Sequence, residues 1–265
     1  MSSQEIIRDV SADRVDQIVA GFVAIGATVQ KLVQANGLFT IIATFDGSVH
    51  LSPMATDTAA EAVAPLAQVP DHPLPAINPS TDFPAISAEY RAFFDTCEIR
   101  SNRRTEVQAR VSRLLEHAPR YRALGEQLGM PWFFIAIIHS LEAGSNFATH
   151  LHNGDPLTSK TTHVPAGRPT SGSPPFTWEA SARDALAMKG YVGQTDWSTS
   201  RMMLHRWEAY NGFGYRTRGL ASPYLWSFSQ HYTKGRFVKD HVFDADSVSQ
   251  QCGAAVLLQG LQSQA

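Results

Sequence analysis

Residues 130–146, MPWFFIAIIHSLEAGSN, decide the fold of this chain, because they begin with nine apolar residues in a row. Pro131 suits the start of a helix, and Gly144 suits the left-handed position just past a helix end. A helix that is apolar on all sides is a buried helix. The run is far shorter than the ~20 residues that a bilayer-spanning helix needs. We therefore predict a core helix that carries a carboxyl group, Glu142, in its last turn.

The position of Glu142 favours its protonated form. The negative end of the helix dipole disfavours a carboxylate there, and apolar surroundings raise the pKa of a carboxyl group in the same direction. A carboxyl group that holds a proton near neutral pH is what general acid catalysis needs. The alternative interpretation is a structural helix-end carboxylate paired with an arginine.

The composition is that of an ordinary globular chain. Of its 265 residues, 43% are hydrophobic and 17% are charged, which allows a sizeable core. Residues 1–10, MSSQEIIRDV, lack the basic start and the apolar run of a signal peptide. We therefore expect synthesis in the cytoplasm without a signal peptide, and no transmembrane segment. The basic run KGRFVKD at residues 234–240 is too short to indicate nucleic-acid binding.

A small N-terminal unit is predicted at residues 1–47. Apolar residues at helical spacing predict a helix over residues 12–25. The β-like runs at 27–34 and 38–45 are separated by Ala-Asn-Gly, and Asn-Gly between such runs indicates a β-hairpin. The unit is expected to be a helix plus a hairpin that serves as a targeting or docking module.

Residues 48–85 are predicted to be a linker, because seven of the fifteen prolines fall between Pro53 and Pro84. The charges also suggest two units. Residues 1–85 hold three Lys or Arg against nine Asp or Glu, whereas the rest of the chain holds 19 against 15.

Residues 86–265 are predicted to form a mainly α domain. A loop over residues 147–178 contains five prolines and no periodicity, and a loop of that length inside a domain is usually functional. Amphipathic patterns predict further helices, with an interruption at Pro119. These helices are expected at residues 86–100, 105–129, 179–190, 198–210 and 246–262.

Histidines cluster in HLHNGDP, which starts at His150 and has His163 beyond it. His150 and His152 point the same way in an extended segment, so that three histidines can form a zinc site with an open position. The alternative is a turn around Asn153 whose histidines hydrogen-bond the backbone or a sugar. Asp155 is a candidate second carboxylate or a turn residue. With no second-shell pattern and no phosphate-binding loop in the sequence, we expect no metal and no cofactor.

Aromatic residues cluster with amides in YNGFGYR, which starts at Tyr210, and in the SPYLW and HYTKG segments that follow. Aromatic rings stack on sugar faces and amides bind hydroxyl and N-acetyl groups, so the cluster suits carbohydrate. Core packing is the alternative for each ring.

These motifs together resemble the lysozyme-like superfamily. The apolar helix ending in Ser-Leu-Glu with small residues after it, and the later helix ending in Ala209-Tyr210-Asn211-Gly212, are similar to goose-type lysozymes and soluble lytic transglycosylases. Other stretches look like those of phage and prophage cell-wall hydrolases, the endolysins. The resemblance covers residues 130–265, and Ala143 stands where that family usually has Ser.

The resemblance implies a lysozyme-like helical catalytic domain that degrades peptidoglycan glycan strands. Glu142 would be the general acid that cleaves the β-1,4 bond between N-acetylmuramic acid and N-acetylglucosamine, with Asp155, Asp184 and Glu179 as candidates for a second carboxylate. Such a muramidase is bacteriolytic and acts on the bacterial cell wall after release. The residues expected at the substrate cleft are His139, His150, His152, Asn153, Tyr210, Asn211, Gly212, Tyr215, Tyr224 and Tyr232.

Three alternatives stay open from the sequence. A lytic transglycosylase would use the same acid but leave anhydro-muropeptides. A non-catalytic peptidoglycan-binding module would keep the fold without using the acid. A zinc peptidase would act on peptide stems through His150, His152 and His163.

Overall fold

The computed structural model describes residues 75–197, 199–239 and 241–264, with residues 3–10, 12, 15, 16, 18, 19, 23, 28–34 and 38–45 of the N-terminal region. The chain divides into two compact units, Met1–Leu74 with Ala265, and Pro75–Gln264. The predicted linker 48–85 stays a prediction, because residues 48–74 lie outside the described residues. Residues 75–85 belong to the second unit.

The N-terminal unit contains an antiparallel sheet of strands β1 (Ser3–Val10), β2 (Thr28–Val33) and β3 (Phe39–Phe45), in the order β1-β3-β2. The predicted hairpin is confirmed in its strands, while the turn at 35–37 lies outside the described residues. Strand β1 was not expected, because SQEIIRDV mixes charged and apolar residues without a clear alternation. The described residues between 12 and 23 are helical, in agreement with the periodicity.

The second unit is mainly α, as expected. Eight α-helices and one two-stranded hairpin form its described part. The helices are α1 (Phe83–Asp95), α2 (Arg104–Glu116), α3 (Ala118–Leu128), α4 (Trp132–Ala143), α5 (Trp178–Met188), α6 (Ser200–Asn211), α7 (Pro223–Trp226) and α8 (Ala254–Gln262), and the hairpin strands are β4 (Arg236–Lys239) and β5 (Val242–Asp244).

Helix α4 is the centre of the core, as its sequence predicts. Every residue from Phe134 to Leu141 is buried, and the helix packs against α2, α3 and α8. Pro131 is the residue just before the first helical turn, and Gly144 ends the helix in the left-handed conformation with φ of 57°. The close approach of α8 to α2 depends on Gly260, since a Cβ there would lie 2.7 Å from the Val111 side chain.

The other predicted helices are present with small changes. The interruption at Pro119 is confirmed, because α2 ends at Glu116 and α3 starts at Ala118. Helix α8 is shorter than the predicted 246–262. The carboxylate of Asp244 accepts hydrogen bonds from the N–H groups of residues 246 and 247, which closes a turn instead of a helix.

The long loop after α4 has no helix or strand between residues 147 and 177, as predicted, and only an isolated bridge between Thr149 and Pro156. The β4–β5 hairpin was not expected. No helix in the described part of the chain is long and apolar enough to cross a membrane.

Candidate active site

The carboxyl group of Glu142 lies in the last turn of α4, next to the left-handed Gly144. Its Oε1 accepts a hydrogen bond of 2.8 Å from the hydroxyl group of Tyr224. Tyr224 belongs to the short, buried helix α7, which packs against α6 and α8. Two separate helices therefore fix the two ends of this hydrogen bond.

Glu142 is partly buried, and burial raises its pKa from the ordinary value of 4.5 to about 7. The hydrogen bond from Tyr224 and the positive charge of Lys189 act in the opposite direction. A substantial fraction of this carboxyl group is therefore protonated at neutral pH. The rise that its helix-end position predicts is present, with burial as the main cause.

Lys189 supplies the positive charge near Glu142. It directly follows α5 and donates a hydrogen bond of 2.6 Å from Nζ to the carbonyl oxygen of Tyr210, while Nζ lies 4.7 Å from the centre of the Tyr210 ring. The hydroxyl group of Tyr210 donates to the carbonyl oxygen of Leu151 at 3.1 Å. Burial, followed by the charge of Glu142, raises the pKa values of Tyr210 and Tyr224 well above 10, so both hydroxyl groups stay neutral donors.

A cleft of about 480 Å³ lies beside this group, and Tyr224 is part of its wall. The Glu142 carboxyl group is therefore one side chain away from the cleft. Two stretches of the chain line it: the end of α6 through α7, and the β4–β5 hairpin with the residues after it. The lining residues are Asn211, Tyr215, Pro223, Tyr224, Arg236, Phe237, Val238, Lys239, His241, Ser249 and Gln251.

Tyr215 attaches the hairpin to the segment that follows α6. Its Oη accepts a hydrogen bond of 3.1 Å from the backbone N–H of Phe237, and its ring makes edge contacts with Phe237 and Phe243. Arg236 is held in turn by a 2.8 Å hydrogen bond from Nε to Ser247 Oγ. The hairpin wall is thereby fixed at both strands.

A buried ionic network fixes the segment that contains Tyr215. Arg216 donates to the carboxylates of Glu89 and Glu208, both at 2.8 Å. Tyr90 donates to Glu208 at 2.6 Å. The carboxylates come from α1 and α6, so the network fixes Tyr215 and its neighbours against both helices.

Asp155 does not resemble Glu142 in its surroundings. One of its oxygens lies 2.6 Å from His163 Nδ1, and the other accepts from the N–H groups of Thr162 and His163 and from Asn153. These hydrogen bonds, that of the His163 N–H first, hold the pKa of Asp155 well below its usual range. Asp155 is an ionised turn residue, and that state does not suit a proton donor.

The other two candidate carboxylates are also engaged. Asp184 Oδ2 lies 2.8 Å from both His152 Nε2 and Arg168 Nε. Glu179 is partly exposed and forms an ion pair of 2.6 Å with Arg120. Neither carboxylate has the partly buried, weakly partnered environment of Glu142.

The histidines of the loop hold the loop together. His150 places Nδ1 2.8 Å from Ser181 Oγ and Nε2 2.8 Å from the carbonyl oxygen of Ser159. His152 pairs with Asp184, and His163 with Asp155. Within the described ranges no group of three His, Cys, Asp or Glu side chains is arranged to hold a metal ion. Both ring nitrogens of His150 and of His152, and Nδ1 of His163, are engaged in hydrogen bonds.

Several residues expected at the cleft lie elsewhere. His139 is fully buried between Tyr121 and Trp178, each within hydrogen-bond distance of a ring nitrogen, and burial lowers its pKa to about 4. Asn153 closes the Asp155 turn. Tyr232 is buried and donates to the carbonyl oxygen of Gly235 at 3.2 Å.

The structure brings together Glu142 and Tyr224, with Tyr210 adjacent and Asn211 and Tyr215 along the cleft wall. Gly212 ends α6 with φ of 95° and donates its N–H to the carbonyl oxygen of Glu208; its role is to turn the chain. Sequence reasoning missed Lys189, because a lysine before a glycine at a helix end is common as a solvated cap. It also missed Gln251 and the wall residues Arg236 and Lys239. The basic run that holds Arg236 and Lys239 was the available signal.

Comparison of this chain with family models, with characterised proteins and with solved structures found no match.

Proposed function

We propose that this chain is a peptidoglycan-cleaving glycosidase with a lysozyme-like catalytic domain, in which Glu142 is the general acid. The observation that carries the proposal is the partly buried carboxyl group of Glu142, whose pKa is about 7, at the end of a rigid core helix and one side chain from a cleft with aromatic and amide walls. Acids of glycoside hydrolysis need a raised pKa of this kind.

In the proposed reaction, Glu142 donates its proton to the oxygen of the β-1,4 bond while the sugar develops oxocarbenium character. The carboxylate that remains gains stabilisation from the Tyr224 hydroxyl group, which already donates to it, and from the charge of Lys189. Both interactions favour the ionised form of Glu142, so they help proton transfer to the leaving group. Asn211 and Tyr215 of the cleft wall would contact the sugars.

A lytic transglycosylase is the second candidate, and the hydrogen bonds of Asp155 favour it. A hydrolase of the usual kind uses a second carboxylate to activate water or to bond to the sugar. Asp155, Asp184 and Glu179 are each engaged in ion pairs or hydrogen bonds, which leaves Glu142 to act as acid and then as base. With Glu142 alone, the attacking group is a positioned water or the 6-hydroxyl group of the same sugar.

The proposed partner is the glycan strand of peptidoglycan, and the proposed place of action is the bacterial cell wall. We propose an endolysin-like, antimicrobial role for this bacteriolytic activity. The N-terminal unit would then be a targeting or docking module.

The experiment is mass spectrometry of the soluble products from purified peptidoglycan, with wild type beside Glu142→Gln. Glu116→Gln is the matched control, because Glu116 also ends a helix but is exposed. If wild type and the control release reducing muropeptides and Glu142→Gln does not, the result would support a muramidase. Anhydro-ended products in the same pattern would support a transglycosylase. Free stem peptides would contradict the proposal in favour of a peptidase, and strand binding without any product would contradict it in favour of a binding module.

A further inference from the structure

The wall of the cleft that the β4–β5 hairpin provides is basic. Arg236 and Lys239 lie on β4, and His241 lies in the turn that follows. The described residues that line the cleft include no Asp or Glu. Any ligand that fills the cleft therefore meets positive charge on one side.

The charges of Arg236 and Lys239 are not the ones that act on Glu142. The charged group that influences the pKa of Glu142 is Lys189, on a different element. The ion pairs found among the described residues do not use Arg236 or Lys239 either; the pair nearest to them in the sequence joins Lys234 to Asp246. The Ser247 hydroxyl group occupies one of the five N–H donors of Arg236, and the other donors suit an incoming anion.

The remaining lining residues suit sugars. Tyr215, Tyr224 and Phe237 provide aromatic rings, and Asn211 and Gln251 provide amides. Rings and amides next to a guanidinium and an ammonium group match a saccharide with an acidic substituent. In peptidoglycan, that substituent is the stem peptide, whose carboxylates hang from the muramic acid at the bond proposed to be cut.

We propose that Arg236 and Lys239 form a carboxylate-binding wall that recognises the stem peptide and makes the protein prefer peptide-bearing glycan strands. The proposal rests on the proposed function, because it names the part of that substrate which the hairpin contacts. A phosphate group carries the same sign of charge. We assign the wall to the stem carboxylate, because the stem is attached to the muramic acid whose glycosidic bond Glu142 is proposed to protonate. The competition experiment below separates the two sources.

The test compares initial rates on peptide-bearing strands and on the same strands after an amidase has removed the stems. We expect wild type to cleave peptide-bearing strands faster, and the ratio of the two kcat/KM values to fall about tenfold in the double variant Arg236→Gln/Lys239→Gln, since each lost charge-assisted hydrogen bond weakens binding. The control pair Arg113→Gln/Lys160→Gln removes two exposed positive charges elsewhere and should keep the wild-type ratio. An equal ratio in wild type and the Arg236/Lys239 variant would overturn the proposal.

A binding measurement separates this proposal from the proposed function. Glu142→Gln, with and without the two wall substitutions, is titrated with a disaccharide that carries a tripeptide and with the bare disaccharide. If wild type cleaves neither strand, the proposed function fails; the wall proposal then stands only if the tripeptide strengthens binding and the wall substitutions remove that gain. Competition by inorganic phosphate, without any contribution from the tripeptide, would instead assign the wall to phosphate.

Discussion

Glu142 and Asp155 come from the two ends of one stretch of chain, the C-terminus of α4 and the turn in the loop after it, and their surroundings differ. Glu142 is partly buried and has one hydrogen-bond donor, Tyr224. Asp155 accepts from two backbone N–H groups and pairs with His163. The pKa of Glu142 is raised and that of Asp155 is lowered.

The difference shows that donors, more than position, decide the protonation state. Burial without enough donors disfavours a carboxylate, whereas several N–H groups aimed at it stabilise the charge. A pair of acids whose environments shift their pKa values apart is one way in which acid and structural roles are divided. Here we assign catalysis to Glu142 and loop structure to Asp155.

The largest expected effect is on the rate. Glu142→Gln keeps the shape of the side chain but removes the proton, so we expect kcat on peptidoglycan to fall about 10³-fold, within the range that general acid catalysis contributes. Asp155→Asn, assayed at a temperature where it is folded, should stay within about threefold of wild type, since that side chain touches no reacting atom in our proposal. Steady-state rates of muropeptide release measure both. A comparable collapse in the Asp155 variant would reverse the assignment of roles.

The same pair of residues should have opposite effects on stability as pH changes. The folded pKa of Glu142 is raised, so wild type loses stability as pH rises through about 7, and Glu142→Gln should unfold at a higher temperature than wild type at alkaline pH but not in acid. The folded pKa of Asp155 is lowered, so its contribution is present above the unfolded pKa and is lost as pH falls below about 4. Asp155→Ala should therefore cost roughly 1 to 2 kcal/mol at neutral pH and less in acid.

Thermal unfolding at several pH values, followed by circular dichroism, measures these differences. Thr161→Val is a control that removes two hydrogen bonds of the same loop without touching a carboxylate, so its cost should not depend on pH. Parallel curves for all three variants would mean that neither carboxyl group has a shifted pKa.

The sequence predicted the site unevenly, and the reasons are physical. Helix α4 and its end were predictable, because a continuous apolar run, Pro131 and Gly144 are local signals. His139 was expected at the cleft, and its position three residues before Glu142 does not exclude this, because that spacing leaves the two side chains only about 60° apart around the helix. Contacts with Tyr121 and Trp178, from other segments, hold the imidazole in the core. For Asp155 the sequence allowed a turn residue or a second carboxylate, and its hydrogen bonds are those of a turn residue.

The basic wall and Lys189 were not predictable in the same way. Arg236 and Lys239 line the cleft on a hairpin whose backbone is bound by Tyr215, about twenty residues earlier in the sequence. Lys189 lies near Glu142 where its ammonium group binds the carbonyl oxygen of Tyr210, at the end of α6. Contacts between distant segments of this kind leave no periodic pattern in the chain.

The smallest expected effect concerns Lys189 and refines the account of the Glu142 pKa. The ammonium group lowers that pKa, so Lys189→Met should raise it and move the alkaline limb of the rate profile to higher pH, by less than about one pH unit. Because the protonated acid is the active form in the proposed reaction, the wild-type rate should fall as pH rises through about 7. Lys189→Arg should keep the wild-type limb, and Lys160→Met, at an exposed lysine elsewhere, serves as the control. The measurement is kcat/KM as a function of pH, from acid to alkaline. An alkaline limb that moves to lower pH in Lys189→Met, or that moves equally in both methionine variants, would contradict an electrostatic role for Lys189 beside Glu142.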